Sequence, residues 1–215
     1  DGGTFSSYLI KGIKWGAYVA LFSPLVVNPN FFFPFVVPKT VFFWMFTEII
    51  VAFWILLIIY NKQFRPKWNV INISVIIFLA VTIITSFTGI NAERSFWSTF
   101  ERMAGTIHWI HLALFFLVLS STFKTMEEWR RLVTVSLITS SIVASIFVLD
   151  KFGISVIPFD TRGGSTIGNS SFLAAYLLFN IFFGIWLFSS AREIWQKIAY
   201  GIGFGILLLA MLYAT

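Results

Sequence analysis

Cysteine is missing altogether, which excludes disulfides and thiolate metal sites and removes the usual redox trace of compartment. Charge is scarce as well: Asp, Glu, Lys and Arg make up 11% of the 215 residues, where a soluble domain carries roughly 25%. What fills the chain instead is apolar. Hydrophobic residues make up 58%, and they come in runs of roughly twenty, the length an α-helix needs to cross the hydrocarbon core. Scarce charge and long runs together indicate an integral membrane protein with no room for a separate aqueous domain. Any chemistry must then use loops and helix ends at the bilayer surface.

Hydropathy predicts an all-α fold, a polytopic transmembrane helix bundle of about seven spans. They fall near 10–28, 40–60, 70–89, 105–122, 132–149, 171–189 and 198–215, in a single transmembrane domain over 1–215. The last run stops at Ala214-Thr215 without polar cap, glycine or charged flank, and the chain begins at Asp1-Gly2-Gly3 without methionine. Truncation at the C-terminus and incompleteness at the N-terminus are therefore expected, with Asp1-Gly2-Gly3 either native or added. Gly201 and Gly205, with Gly203 between them, form a small-xxx-small pair expected to seat a neighbouring helix.

The basic residues set the orientation, because cytoplasmic loops near span ends retain Lys and Arg. Lys11, Lys14, Lys62, Arg65, Lys67, Lys124, Arg130, Arg131, Arg192 and Lys197 fall on one side of the predicted spans; Lys39, Arg94, Arg102, Lys151 and Arg162 fall on the other. Ten against five of the 15 puts the N-terminus in the cytoplasm and the loops 29–39, 90–104 and 150–170 on the outer face. The same bias accounts for most of the net charge of +6. No nucleic acid is implied, and membrane lipids are the expected partners.

Glu48 lies about eight residues into the second predicted span, about 12 Å below its start. An ionised carboxylate at that depth costs about 2.5–3.5 kcal/mol on insertion scales, so it should face the bundle interior and find a partner or a wet cavity. Lys39, Arg94 and Arg102 are nearest by side. Either an interhelical ion pair or a carboxylate that positions a substrate-binding arginine fits this pattern.

Two outer loops mix residue types that a plain connector does not require. Over 90–104, a helix would put Phe96, Trp97, Phe100 and Met103 on one face and project Glu93, Arg94, Glu101 and Arg102 elsewhere. Such a segment lies in the membrane interface, as an anchor with internal salt bridges or with guanidinium groups on a phosphate. Over 162–171, Gly163, Gly164 and Gly168 permit backbone conformations closed to other residues, and Asn169, Ser170 or Ser171 can cap the next helix. Free amides there favour an anion, or the turn is a cap alone. His108 and His111 share a helix face, but no third ligand stands at metal-binding spacing; interhelical hydrogen bonding is expected, with no metal or cofactor.

These loops resemble the O-antigen ligase family. Asn91-Ala92-Glu93-Arg94-Ser95-Phe96-Trp97-Ser98-Thr99-Phe100-Glu101-Arg102-Met103-Ala104-Gly105 is similar to that family's Asn-x-x-Arg-Ser-Phe-Trp-x-x-Phe-Glu-Arg-Met-Glu-Gly signature, with Ala104 in place of an acidic residue. Arg162, the turn through Gly168-Asn169 and Phe172-Leu173-Ala174-Ala175-Tyr176 are similar to a second signature, with Ser165-Thr166 where Gly-Thr is usual. Phe33-Pro34-Phe35 and Lys39 extend the resemblance over most of the chain, as the N-terminal half of such a domain.

The resemblance implies a metal-independent glycosyltransferase of the bacterial inner (plasma) membrane, its active side facing the periplasm or exterior. Such an enzyme moves a glycan from a polyprenyl diphosphate carrier to a hydroxyl acceptor, such as a lipid-linked core sugar of lipopolysaccharide. Arg102 and Arg162 are the implied phosphate ligands, with Arg94, Lys39, Glu48 and Asn169 as further substrate-binding residues. The expected base, a histidine of a later extracytoplasmic loop, lies beyond Thr215, so residues 1–215 alone are expected to be inactive. A surface polysaccharide polymerase using the same donor remains open. A lipid-linked glycan transporter is the rival class, which internal repeats would favour and which shows none here.

Overall fold

The computed structural model describes residues 2–157 and 163–214. Among these there is no strand. Eight α-helices follow in order: α1 (Gly2–Ala20), α2 (Val37–Tyr60), α3 (Val70–Thr88), α4 (Ala92–Trp97), α5 (Thr106–Thr122), α6 (Met126–Lys151), α7 (Ser170–Ser190) and α8 (Ile194–Ala214). Short 3-10 helices occupy Ser23–Leu25, Lys62–Phe64 and Ser165–Ile167.

Five helices, α2, α3, α6, α7 and α8, are long and apolar enough to cross a membrane. Their surfaces are apolar where they are not packed: on α3, Ile71, Ile77, Ile84 and Phe87 are all exposed. Lipid tolerates such a face and water does not. The protein is therefore a multi-pass membrane protein. The remaining two long helices fall short of that standard. α1 carries Lys11 and Lys14 among glycines and serines, and α5 has 17 residues, about 26 Å of helix.

The first span differs from its expected place at 10–28, because α1 begins at Gly2 and stops at Ala20. Pro24 sits in the first turn of the 3-10 helix that follows. Proline lacks an N–H and its ring clashes with the preceding turn, so an apolar run through it does not continue as α-helix. α6 starts earlier than expected. Glu127 at its N-terminus receives Arg130 at 3.0 Å and Arg131 at 3.5 Å, and it also suits the positive end of the helix dipole.

The chain divides into two compact units, one of residues 1–20 and 31–125, the other of 21–30 and 126–215. The core of the first comprises Leu9 and Ile13 of α1, Ile50, Trp54 and Leu57 of α2, Phe64, and Val118 of α5. Gly12 and Gly16, one turn apart on α1, bring α2 close: a Cβ at Gly12 would lie 2.9 Å from the Phe53 ring, and one at Gly16 would collide with Ile50. Small residues at that spacing draw helices together in lipid, where burial alone supplies little drive. After α2, Trp54 Nε1–H donates to the Phe64 carbonyl at 3.2 Å and folds the chain back on the helix end.

The core of the second unit joins Leu137, Val143 and Phe147 of α6 to Leu173, Leu177 and Leu187 of α7 and Leu207 of α8. Ser136 Oγ–H donates to Asn180 Oδ1 at 2.8 Å between α6 and α7, and the Thr134 and Tyr200 hydroxyls meet at 3.2 Å between α6 and α8. The glycine expectation for α8 holds for one member of the pair. A Cβ on Gly201 would touch the Phe188 ring of α7 at 3.6 Å, but Gly205 has no atom within 4 Å of an added Cβ, and the tightest approach is at Gly203, which faces α6 with Ser141 Oγ at 3.1 Å. Two residues turn a helix by about 200°, so Gly203 lies opposite the 201/205 pair, and that is the face α6 occupies.

Candidate functional site

The segment Asn91–Gly105 begins as a helix and then breaks. Asn91 caps α4 by accepting the Arg94 N–H at 2.9 Å, but α4 ends at Trp97, and Ser98 takes a left-handed φ of 68°. The expected continuous amphipathic helix through Met103 is thus not formed. The chain turns back instead and enters α5 at Gly105. A Cβ on Gly105 would lie 2.7 Å from the Trp97 carbonyl carbon, so glycine permits the start of α5 to press against the end of α4. Thr106 Oγ1 reaches both the Ser86 hydroxyl of α3 and the Ser95 carbonyl, pinning three elements together.

This turn encloses a cavity of about 520 Å³ lined by Trp44 of α2, Glu93, Arg94 and Trp97 of α4, and Phe100 and Met103 beyond it. That volume lies within the range of small-molecule sites, and aromatic walls with one cation are a usual composition for one. Arg94 is exposed, and among the described residues neither Arg94 nor Arg102 forms an ion pair with a carboxylate. The expected internal salt bridges are absent because Glu93–Arg94 and Glu101–Arg102 are sequence neighbours, which project apart. Arg102 is exposed on the turn and does not line the cavity.

Behind Trp44 lies a polar cluster between α2 and α5. Trp44 Nε1–H donates to His108 Nδ1 at 3.1 Å, and its ring stacks on His111 with centroids 4.9 Å apart and planes 17° from parallel. His111 Nε2 lies 3.1 Å from Glu48 Oε1. The expected partners of Glu48 are thereby corrected: it meets His111 rather than Lys39, Arg94 or Arg102. Lys39 is nine residues away, about 14 Å along α2, and its Nζ donates to the Phe35 carbonyl at 2.9 Å. The expectation that Glu48 faces inward is also corrected, since its side chain is 70% exposed while that of His111 is 7% exposed. Trp44 did not stand out in the sequence. The available signal was spacing: Trp44 and Glu48 share a face of α2 at i,i+4, and His108 and His111 share one of α5 at i,i+3.

In the second unit Asn169 caps α7, its Oδ1 accepting the N–H groups of Ser171 at 2.9 Å and Phe172 at 3.3 Å. The helix-start amides that were expected to attract an anion are therefore taken in part by the chain itself. Gly163 and Gly168 have φ of 67° and 80°, the left-handed region this turn requires. Ser165 Oγ–H donates to the Val143 carbonyl of α6 at 3.1 Å and fastens the turn. Arg162 lies outside the described residues. Set against family models, curated proteins and solved structures, the chain matches none.

Proposed function

We propose that this chain is part of a membrane glycosyltransferase, similar to O-antigen ligases, that moves a glycan from polyprenyl diphosphate to a hydroxyl acceptor in the bacterial inner membrane. The observation that carries this reading is the cavity under Asn91–Gly105, where Arg94, which forms no ion pair among the described residues, stands with Glu93 among Trp44, Trp97 and Phe100. A guanidinium binds phosphate oxygens in a fork and keeps its charge, and aromatic faces accept sugar rings or the first prenyl units. When the glycan–oxygen bond breaks, negative charge grows on the leaving diphosphate, and Arg94 neutralises it. Arg102, exposed on the same turn, is the second proposed phosphate ligand; Lys39, Asn169 and Arg162 belong to the proposal through the resemblance.

In the proposed topology α1 and α5 also cross, giving seven spans with the N-terminus inside. The distribution of lysines in the first unit supports it. Lys124 Nζ lies 5.5 Å from the Phe64 ring centroid and Lys14 Nζ 5.9 Å from that of Phe123, so these ammonium groups lie toward the C-terminal ends of α2 and α5 and do not line the cavity at Trp44. The test is transfer from a purified polyprenyl diphosphate-linked glycan by the protein in membranes. Arg94→Lys and Arg102→Lys should each lose at least about tenfold in transfer, the order of one charge-assisted phosphate contact, at unchanged membrane abundance. Wild-type rates in both would remove the arginines from the donor site.

A further inference from the structure

Both ring nitrogens of His111 face acceptors. Nδ1 lies 2.7 Å from the Ile107 carbonyl oxygen, one turn back on α5, and Nε2 lies 3.1 Å from Glu48 Oε1. A backbone carbonyl only accepts, so Nδ1 carries a proton. A neutral imidazole protonated there has a bare lone pair at Nε2, and a carboxylate has only lone pairs to set against it. The contact therefore needs a second proton, on the ring or on Glu48. His108 is the opposite case: the Trp44 indole N–H, which only donates, is aimed at its Nδ1 at 3.1 Å, so that nitrogen is bare and the ring is neutral.

We infer that Glu48 and His111 form a proton-binding site between α2 and α5, holding one exchangeable proton on the line from Oε1 to Nε2. With the proton the pair is neutral; without it the pair carries one negative charge. Glu48 is the outward member of the pair, its side chain 70% exposed, while His111 at 7% is closed off under the Trp44 ring. Other titratable groups on the surrounding elements are engaged elsewhere. α3 has none. His108 is held neutral by Trp44, Lys39 reaches the Phe35 carbonyl, Lys11 and Lys14 of α1 line a separate cavity with Tyr60 and Asn61, and Glu93 and Arg94 of α4 line the Trp44 cavity.

Trp44 connects the proton to that cavity, since it stacks on His111 and also lines the cavity. Where the cavity takes a diphosphate, which rests on the proposed function, losing the proton places a negative charge behind Trp44 and opposes the ligand. Binding weakens about tenfold as the pair deprotonates, the effect of a unit charge roughly 10 Å away at an effective dielectric constant near ~25.

The chain holds 2 histidines, so nitrogen NMR of isotope-labelled histidine in lipid nanodiscs contains two ring systems. One ring should be neutral with Nδ1 bare, and the other should carry Nδ1–H with Nε2 either protonated or accepting from a protonated Glu48 carboxyl. Glu48→Gln is the discriminating variant. Its amide N–H still donates to His111 Nε2 and keeps α2 linked to α5, but it supplies no mobile proton. In it Nε2 accepts the amide N–H, and no proton is shared between residue 48 and the ring. A wild-type protein in which His111 keeps a bare ring nitrogen and Glu48, followed by its carboxyl carbon shift, also stays ionised across the pH range overturns the proposal. For the coupling, binding of a long-chain polyprenyl diphosphate should weaken with rising pH in the wild type and stay level in Glu48→Gln; parallel profiles overturn it. Absence of binding by both proteins counts against the proposed function, and the spectrum still decides the proton site.

Discussion

The indole of Trp44 lies flat on the imidazole of His111, with ring centroids 4.9 Å apart, and donates its N–H to His108 at 3.1 Å. One side chain of α2 thus holds two histidines of α5 and forms a wall of the cavity beside them. Trp44→Phe keeps a stacking face and loses the donor, which should cost about 1 kcal/mol. Trp44→Ala removes the ring as well and should cost about 3–5 kcal/mol. Thermal denaturation of both variants in detergent checks this order, and equal losses would show that the ring contributes nothing beyond its N–H.

Gly105→Ala should displace α4 from the start of α5, because the new Cβ has the Trp97 carbonyl carbon at 2.7 Å, and backbone does not yield as a side-chain tip does. The expected cost is about 1–3 kcal/mol. Faster protease cleavage within 92–104 would report it, with the second unit unaffected. An unchanged cleavage pattern would mean that the close approach is relieved cheaply.

The absence of native cysteine makes topology directly measurable. Single cysteines at Asn91 and Thr99, both exposed, should react with an impermeant thiol reagent from outside intact cells, and one at Gln63 should not. Labelling at Gln63 from outside would reverse the proposed orientation.

Asn180 is buried at 2% exposure and accepts the Ser136 hydroxyl from α6 at 2.8 Å while donating to the Tyr176 carbonyl at 2.9 Å. Asn180→Leu should destabilise the second unit by about 0.6–1.7 kcal/mol, the range of interhelical hydrogen bonds in membranes. Ser136→Ala should cost a similar amount, and the double variant little more than either alone. Additive losses would show that the two residues act separately.

The helices of this protein were legible one at a time, and their partners were not. Run length and hydropathy are local properties, and they placed α2, α3 and α7 within a few residues of where they lie. Pro24, which ends the first apolar run early, stood in the sequence as a readable stop signal. Asn169 likewise belongs to a local pattern, since an N-cap needs only the next few amides.

The polar cluster was different in kind. Glu48 advertised a need for a partner by its depth in an apolar run, but His111 stands 63 residues away, and Lys39 was a plausible partner until the helices were packed. The same holds for glycine: the 201/205 spacing stood out along the chain, and only the packing sets Gly203 against α6 and Gly201 beside Phe188 of α7. Composition and periodicity determined that this chain enters a membrane as helices, because in lipid each backbone polar group must be satisfied within its own segment. Which helix faces meet, which carboxylate finds which imidazole, and where the α4 turn encloses a cavity were decided only by tertiary structure, because those contacts join residues whose separation along the chain carries no periodic signal.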